Sequence, residues 1–178
     1  MYETEIKILE INRKDLEKKL ISLGARRIFD DEIHALYYDT SDHSVRQSRG
    51  TFRLRREGSL AVLTYKARIE DSTAKIREET EVSVSDFGAM RSILKSIGFY
   101  PWLEMKKHRT TYELGNVHFE LDKYTDEFGF IPEFLEIEGP DVATVYSSAS
   151  ALGFSEEDCR PWDAVQVAEY YSSGRKKS

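Results

Sequence analysis

The sequence predicts an α+β fold in which a closed antiparallel β-barrel carries flanking helices. Three observations predict it. Eight segments alternate in polarity with the two-residue period of strands. Tight turn signals separate several neighbouring segments. Charged side chains recur in register on one face of strand after strand, opposite an apolar face.

The strand candidates are 2–10, 31–39, 50–57, 60–68, 75–84, 105–114, 117–123 and 132–138. Glu57-Gly58-Ser59 and Leu114-Gly115-Asn116 lie between neighbouring candidates and read as hairpin turns. Consecutive hairpins imply antiparallel pairing. Helical patterns interrupt the strands. The spacing predicts a helix over 12–23, opened by Asn12 as N-cap with Asp15 three residues on, striped by Leu16, Leu20 and Leu23, and stopped at Gly24. A second runs over 85–97 with Ser85 as cap, an apolar stripe of Phe87, Met90, Ile93, Leu94 and Ile97, and Gly98 as stop. A third covers 141–152 and ends at Gly153. A last helix is expected to open with Pro161 at its first position and to pack through Trp162, Val165, Ala168 and Tyr170 or Tyr171.

Composition narrows the class. The chain has 178 residues, enough for one sizeable core, and no Pro/Gly/Ser-rich linker divides it, so a single domain over 1–178 is expected. Charged residues make up 33% but nearly balance, which argues against global disorder. A net charge of -6 argues against a general nucleic-acid binder without excluding a local basic pocket. Cys159 is the only cysteine, so no internal disulfide forms. Met1 to Lys7 is charged where a signal peptide is apolar, and no apolar run reaches membrane-spanning length. The expectation is a cytoplasmic protein with neither nucleic-acid nor membrane partners, and with a solvated tail at Arg175-Lys176-Lys177-Ser178.

The charges carry the functional argument. Residues i and i+2 of a strand share a face. Glu3, Glu5 and Lys7 therefore face together, as do Arg53 and Arg55, Thr64 and Lys66, and Arg77, Glu79 and Glu81. Lys107 pairs with Arg109, Glu120 with Asp122, and Glu136 with Glu138. The opposite faces bear Ile6, Ile8, Phe52, Leu54, Val82, Val84, Phe119, Leu121, Leu135 and Ile137. For one strand, a solvated sheet face explains this pattern. For the whole set, same-sign pairs on strand after strand, acidic strands interspersed with basic ones, point instead to a charged barrel interior. Arginine grips phosphate oxygens with a planar fork, and lysine adds a compact charge. Clustered carboxylates beside them would repel a polyphosphate unless a hard cation such as Mg²⁺ or Mn²⁺ intervened. Cys and His show no zinc spacing.

These motifs, in order, resemble the CYTH superfamily of triphosphate tunnel metalloenzymes. The run Glu3-Thr4-Glu5-Ile6-Lys7 matches its Glu-x-Glu-x-Lys opening. Tyr37-Tyr38-Asp39, Gly50-Thr51-Phe52-Arg53-Leu54-Arg55, Leu63-Thr64-Tyr65-Lys66 and Arg77-Glu78-Glu79-Thr80-Glu81 follow, then Lys107-His108-Arg109, Leu121-Asp122 and Leu135-Glu136-Ile137-Glu138-Gly139. The likeness spans nearly the whole chain and is nearest to the class IV adenylate cyclase-like subgroup. It implies an eight-stranded triphosphate tunnel and a small-molecule triphosphate substrate. It implies that Glu3, Glu5, Glu136 and Glu138 serve a divalent metal site, with Glu79, Glu81 and Asp122 completing the metal and water network. It implies that Lys7, Arg53, Arg55, Lys66, Lys107 and Arg109 hold phosphates and form the catalytic set, with Arg77 a further substrate-binding candidate. A homodimer is also implied. Relatives often have an acid where His34 stands and Glu where Lys106 stands, whereas Glu138 fits the hydrolase-like ending.

The remaining candidates have plainer readings. His118 would point with Glu120 and Asp122, and a polar role at a pocket rim suits it better than metal ligation because no second His shares its spacing. His108 faces away from Lys107 and Arg109. Cys159 reads as structural, Tyr37 and Tyr38 as core packing in preference to stacking a base or thiamine ring, and Trp102 as loop packing. Three functions fit the charge set: a metal-dependent triphosphatase, a class IV adenylate cyclase, and a non-catalytic polyphosphate-binding module. The acidic pairs at both ends of the chain favour an enzyme, and Glu138 favours hydrolysis.

Overall fold

A computed structural model describes residues 4–68 and 77–175. Glu3, residues 69–76, the side chain of Arg77 and residues 176–178 lie outside the described residues, so the expectations that fall on them have no structural counterpart here. The elements run β1 (Thr4–Ile8), α1 (Arg13–Ser22), β2 (Arg26–Asp39), α2 (Ser44–Gln47), β3 (Thr51–Glu57), β4 (Leu60–Arg68) and β5 (Arg77–Val84). They continue as α3 (Phe87–Ser96), β6 (Tyr100–Leu114), β7 (Val117–Tyr124), β8 (Phe134–Gly139), α4 (Val142–Ala151), β9 (Cys159–Arg160) and α5 (Ala164–Arg175). Short 3-10 turns occupy Asp126–Phe128 and Glu156–Asp158.

The fold is α+β, a large antiparallel sheet with several helices. The hydrogen-bonded order is β5-β4-β3-β2-β6-β7-β8-β1-β9. This order is linear, and among the described residues no pairing joins β5 to β9. The ninth strand is the two-residue β9, which pairs with β1 at Lys7 and Ile8. A strand that short has no period to read in the sequence. The chain forms two compact units, residues 31–107 and residues 4–30 with 108–178, whose boundaries fall inside the long strands β2 and β6.

In the first unit, the two-residue turn between β3 and β4 begins at Gly58, whose φ is +53°. A side chain there would be strained, and its Cβ would lie 2.7 Å from the Asp31 carboxylate. The turn sets the register that pairs Arg53 with Thr64 and Leu54 with Leu63. Leu36, Tyr38, Leu54 and Leu94 form the buried centre of one sheet face, joined by Phe52, Leu63, Phe87 and Met90. Helix α3 covers that face through Phe87, Met90 and Leu94, part of the stripe its helical spacing predicts. Its cap is Asp86 rather than Ser85: the carboxylate accepts from the Ala89 amide at 2.8 Å. A charged cap also complements the partial positive charge of the helix start, which a serine does less strongly.

In the second unit, Ile6, Ile8, Leu16, Leu20, Phe119, Leu121, Leu135, Ile137, Val145 and Ala149 belong to one core cluster. Alternation puts one strand face under α1 and α4 and leaves the other for charge. Asn12 caps α1 as its sequence predicts, accepting from the Asp15 amide at 3.3 Å. Asp141 caps α4 through the Thr144 amide at 2.8 Å. Helix α5 starts at Ala164, three residues after Pro161. Asp163 and Gln166 exchange reciprocal bonds of 2.9 and 3.0 Å, a capping box that fixes the start and leaves the proline ahead of the helix. Ala168 is buried as expected, joined by Val167.

Candidate functional site

Each unit carries its own charged face, and strand pairing places the residues on it. In the second unit, β8 lies between β1 and β7. Lys7 is opposite Glu136, and Glu136 is opposite Glu120. One position along, Glu5 is opposite Glu138, and Glu138 is opposite His118. Directly opposed residues of antiparallel strands share a face, so these form two rows on one surface. The intervening residues Ile6 and Ile137 point into the core. The i, i+2 reading of the sequence therefore holds across three strands.

The side chains on this face interlock. Lys7 is 3% exposed, and its Nζ lies 3.2 Å from Glu5 and 3.3 Å from Glu136. Arg109 is buried and donates through Nε and Nη2 to the two oxygens of Asp122, at 2.7 and 2.6 Å. Nη2 also reaches Glu136 at 3.3 Å, and Nη1 pairs with Glu120. Asp122 is fully buried. Burial alone would lower the pKa of Lys7, but Glu136 and Glu5 outweigh it and raise the value above its ordinary 10.5. Burial likewise opposes the charge of Arg109, and Asp122, Glu120 and Glu136 reverse that effect. Both side chains are cations at any physiological pH. Glu5, Glu120, Asp122 and Glu136 surround these two cations on one surface.

The first unit has a parallel arrangement on β2 to β5. Tyr37, Arg53, Thr64 and Glu81 form one row across four strands. Thr51, Lys66 and Glu79 form the next. Lys66 contacts Glu79 at 2.6 Å. Arg55 lies 2.7 Å from Glu57 and 3.9 Å from Glu81, whose carboxylate also accepts from the Thr64 hydroxyl at 3.2 Å. The structure thus brings Arg53, Arg55, Lys66, Glu79 and Glu81 onto one face of this unit. It brings Glu5, Lys7, Arg109, Asp122, Glu136 and Glu138 onto one face of the other. Lys107 stands two residues before Arg109 on β6 and is partly buried.

The residues read as bystanders mostly behave as such. His108 turns to Asp30, 3.6 Å away, and away from the Arg109 cluster. His118 sits at the end of the Glu5 row, 3.8 Å from Glu113. Cys159 is buried against the core, where its thiol donates to the Ser155 carbonyl at 3.3 Å and burial pushes its pKa up. His34 pairs with Glu104 at 2.8 Å. Arg160 has no counterpart in the sequence reading. It stands opposite Lys7 in β9, on the charged face, and its Nη1 donates to the Glu157 and Cys159 carbonyls. Only the pairing of β9 with β1 reveals it, since Arg160 lies far from every charged alternating segment.

Among the described residues, no three His, Cys, Asp or Glu side chains converge as a ready-made cation cage. The donor set still suits a hard divalent ion. Every candidate ligand is an oxygen, several carboxylates stand beside Lys7 and Arg109, and Mg²⁺ characteristically takes one or two protein carboxylates with waters and phosphates completing its shell.

Comparison with known proteins agrees with this architecture. The CYTH domain family matches residues 1–158. A Methanocaldococcus jannaschii protein named "Putative adenylate cyclase MJ0240" is 30% identical over 122 residues, 68% of this chain and 70% of that one. The solved structure of the PH1012 protein from Pyrococcus horikoshii superposes with a TM-score of 0.76 at 26% identity, covering 93% of this chain and 98% of that one. A Vibrio parahaemolyticus structure, titled as that of a putative adenylate cyclase, gives a TM-score of 0.79 at 18% identity, over 95% and 98% of the two chains; at that identity the likeness concerns the fold alone.

Proposed function

We propose that this chain, which belongs to the CYTH domain family, is a divalent-metal-dependent triphosphatase. The observation that carries the reading is the Glu5–Lys7–Glu136–Arg109 chain of contacts. It holds two buried cations beside the buried Glu136 and the half-buried Glu5 on one sheet face. Carboxylates and cations interleaved on one face suit a surface that takes a metal ion and phosphate together, the carboxylates holding the metal and Lys and Arg the phosphate oxygens.

Lys7, Arg53, Arg55, Lys66, Lys107 and Arg109 would bind phosphate oxygens and offset the charge that builds on them as the terminal bond breaks. Glu5 and Glu136 would hold Mg²⁺ or Mn²⁺, with Glu138 beside them in register. When bound, the ion neutralises phosphate charge and lowers the pKa of coordinated water. Water adds to the terminal phosphorus, the bond to the bridging oxygen breaks, and phosphate leaves the shortened chain. Glu138 favours this outcome, because it stands opposite Glu5 and adds a further acid able to orient water. The second reading is cyclisation of ATP, in which the ribose 3′-oxygen attacks the α-phosphorus and pyrophosphate leaves. The name of the Methanocaldococcus relative supports it.

Incubating the protein with inorganic triphosphate and with ATP, and resolving phosphate, pyrophosphate and cyclic AMP, separates the two. Phosphate from either substrate is the expected result. Cyclic AMP with equimolar pyrophosphate would overturn hydrolysis in favour of cyclisation.

A further inference from the structure

The charged face of the second unit gains an arginine at its edge, from the short strand β9. Cys159 is buried opposite Ile8, so the next residue, Arg160, falls on the charged face, opposite Lys7. The turn before the strand holds it in place. Asp158 accepts from the Ser155 amide and hydroxyl, both at 2.8 Å, and the Cys159 thiol donates to the Ser155 carbonyl at 3.3 Å. Strand pairing then sets Arg160, Lys7, Glu136 and Glu120 in one row across β9, β1, β8 and β7. The row has two cations at one end and two carboxylates at the other.

Arg160 differs from the buried cations of this face in what holds it. Lys7 pairs with Glu5 and Glu136, and Arg109 with Asp122, Glu120 and Glu136. Among the described residues, the partners of Arg160 are neutral. Its Nη1 donates to the backbone carbonyls of Glu157 and Cys159, and its guanidinium lies 6.0 Å from the centroid of the Trp162 ring. Such partners orient a guanidinium without neutralising it. Asp158 feels the charge of Arg160 at longer range, but its carboxylate is bonded to Ser155. Like charges directly opposite one another on neighbouring strands destabilise a sheet. Capping two carbonyls needs a donor rather than a charge, and a neutral amide would do it without facing Lys7. An anion seated over the two cations removes their repulsion. The arginine fork fits phosphate oxygens, and the Lys7 ammonium has a third donor beyond the two that face Glu5 and Glu136.

We propose that Arg160 and Lys7 form a subsite for one phosphoryl group at the β1–β9 edge, which makes Arg160 a substrate-binding residue. The inference rests on the triphosphate reading above and makes it more specific. It adds to the phosphate-binding set a residue from outside the alternating strands, and it sets one phosphoryl group at the cationic end of the row, away from Glu120.

The test is calorimetric binding of inorganic triphosphate, with Ca²⁺ in place of Mg²⁺, to wild type, Arg160→Gln and Arg160→Lys, each with a thermal melt. Arg160→Gln keeps a donor for the carbonyls and loses the charge. It is expected to bind about tenfold more weakly and to melt no lower than wild type, because the repulsion with Lys7 is gone. Arg160→Lys keeps the charge and is expected to recover most of the affinity. Wild-type affinity in Arg160→Gln overturns the subsite. So does a loss of affinity in Arg160→Gln that comes with a lowered melt, or that Arg160→Lys matches in full, because Arg160 would then be a strut for β9. Failure of the enzymatic reading looks different: wild type binds triphosphate and Arg160→Gln binds it weakly, yet wild type releases no phosphate with Mg²⁺ or Mn²⁺. Wild type that binds no triphosphate overturns both.

Discussion

Replacing Asp122 with alanine lowers the unfolding free energy by about 3 kcal/mol. Asp122 is fully buried and takes both forks of the Arg109 guanidinium. Truncation removes two short charge-assisted bonds and leaves a void at a site closed to water. Removal of one partner from a buried pair typically costs about 3–5 kcal/mol. The low end applies because Glu120 and Glu136 still surround Arg109, so the guanidinium is not left without an opposite charge. Asp122→Asn keeps the volume and one acceptor, and a smaller loss of about 1–2 kcal/mol is expected. Urea unfolding followed by circular dichroism measures both variants. An alanine variant as stable as wild type would mean that the Arg109–Asp122 pair does not hold this face together.

Glu136→Gln abolishes most turnover while sparing the fold. Glu136 touches both buried cations, at 3.3 Å from Lys7 and 3.3 Å from Arg109. The substitution preserves shape, and Glu5 stays beside Lys7 while Glu120 and Asp122 stay beside Arg109, so neither cation loses its last partner. Stability should therefore change little. Metal retention and the alignment of Lys7 with Arg109 should both suffer, and losing one electrostatic contact at a phosphoryl-transfer site typically costs about 100-fold or more in kcat. Phosphate release at saturating substrate, with a melt recorded alongside, is the measurement. Turnover within threefold of wild type would remove Glu136 from the site.

Much of this was legible because strand alternation is a strong signal. The pairs Arg53 and Arg55, Glu120 and Asp122, and Glu136 and Glu138 are charged at every second position, with apolar residues between. Once strands are assumed, their common face follows. The failures have local causes. The first residues of β2, Arg26 to Asp30, and of β6, Tyr100 to Glu104, escaped because their alternation is weak and Pro101 argues against a strand. Arg160 escaped because its strand has two residues. The contacts of Trp102 with Arg46 and Tyr37 depend on three-dimensional neighbours, since nothing in the chain order links the helix after β2 to the start of β6. The cap of α3 lies one residue later than read, because Ser85 and Asp86 both suit the position and the side chain that reaches the amide decides; α5 starts three residues after Pro161, where Asp163 and Gln166 cap it.

If these charged faces serve a triphosphate together with a divalent cation, phosphate release from inorganic triphosphate depends on Mg²⁺. Release measured against Mg²⁺ concentration, from chelator upward, is expected to be absent in chelator and to rise saturably with the ion. Release that proceeds unchanged in chelator would mean that the faces work without a metal.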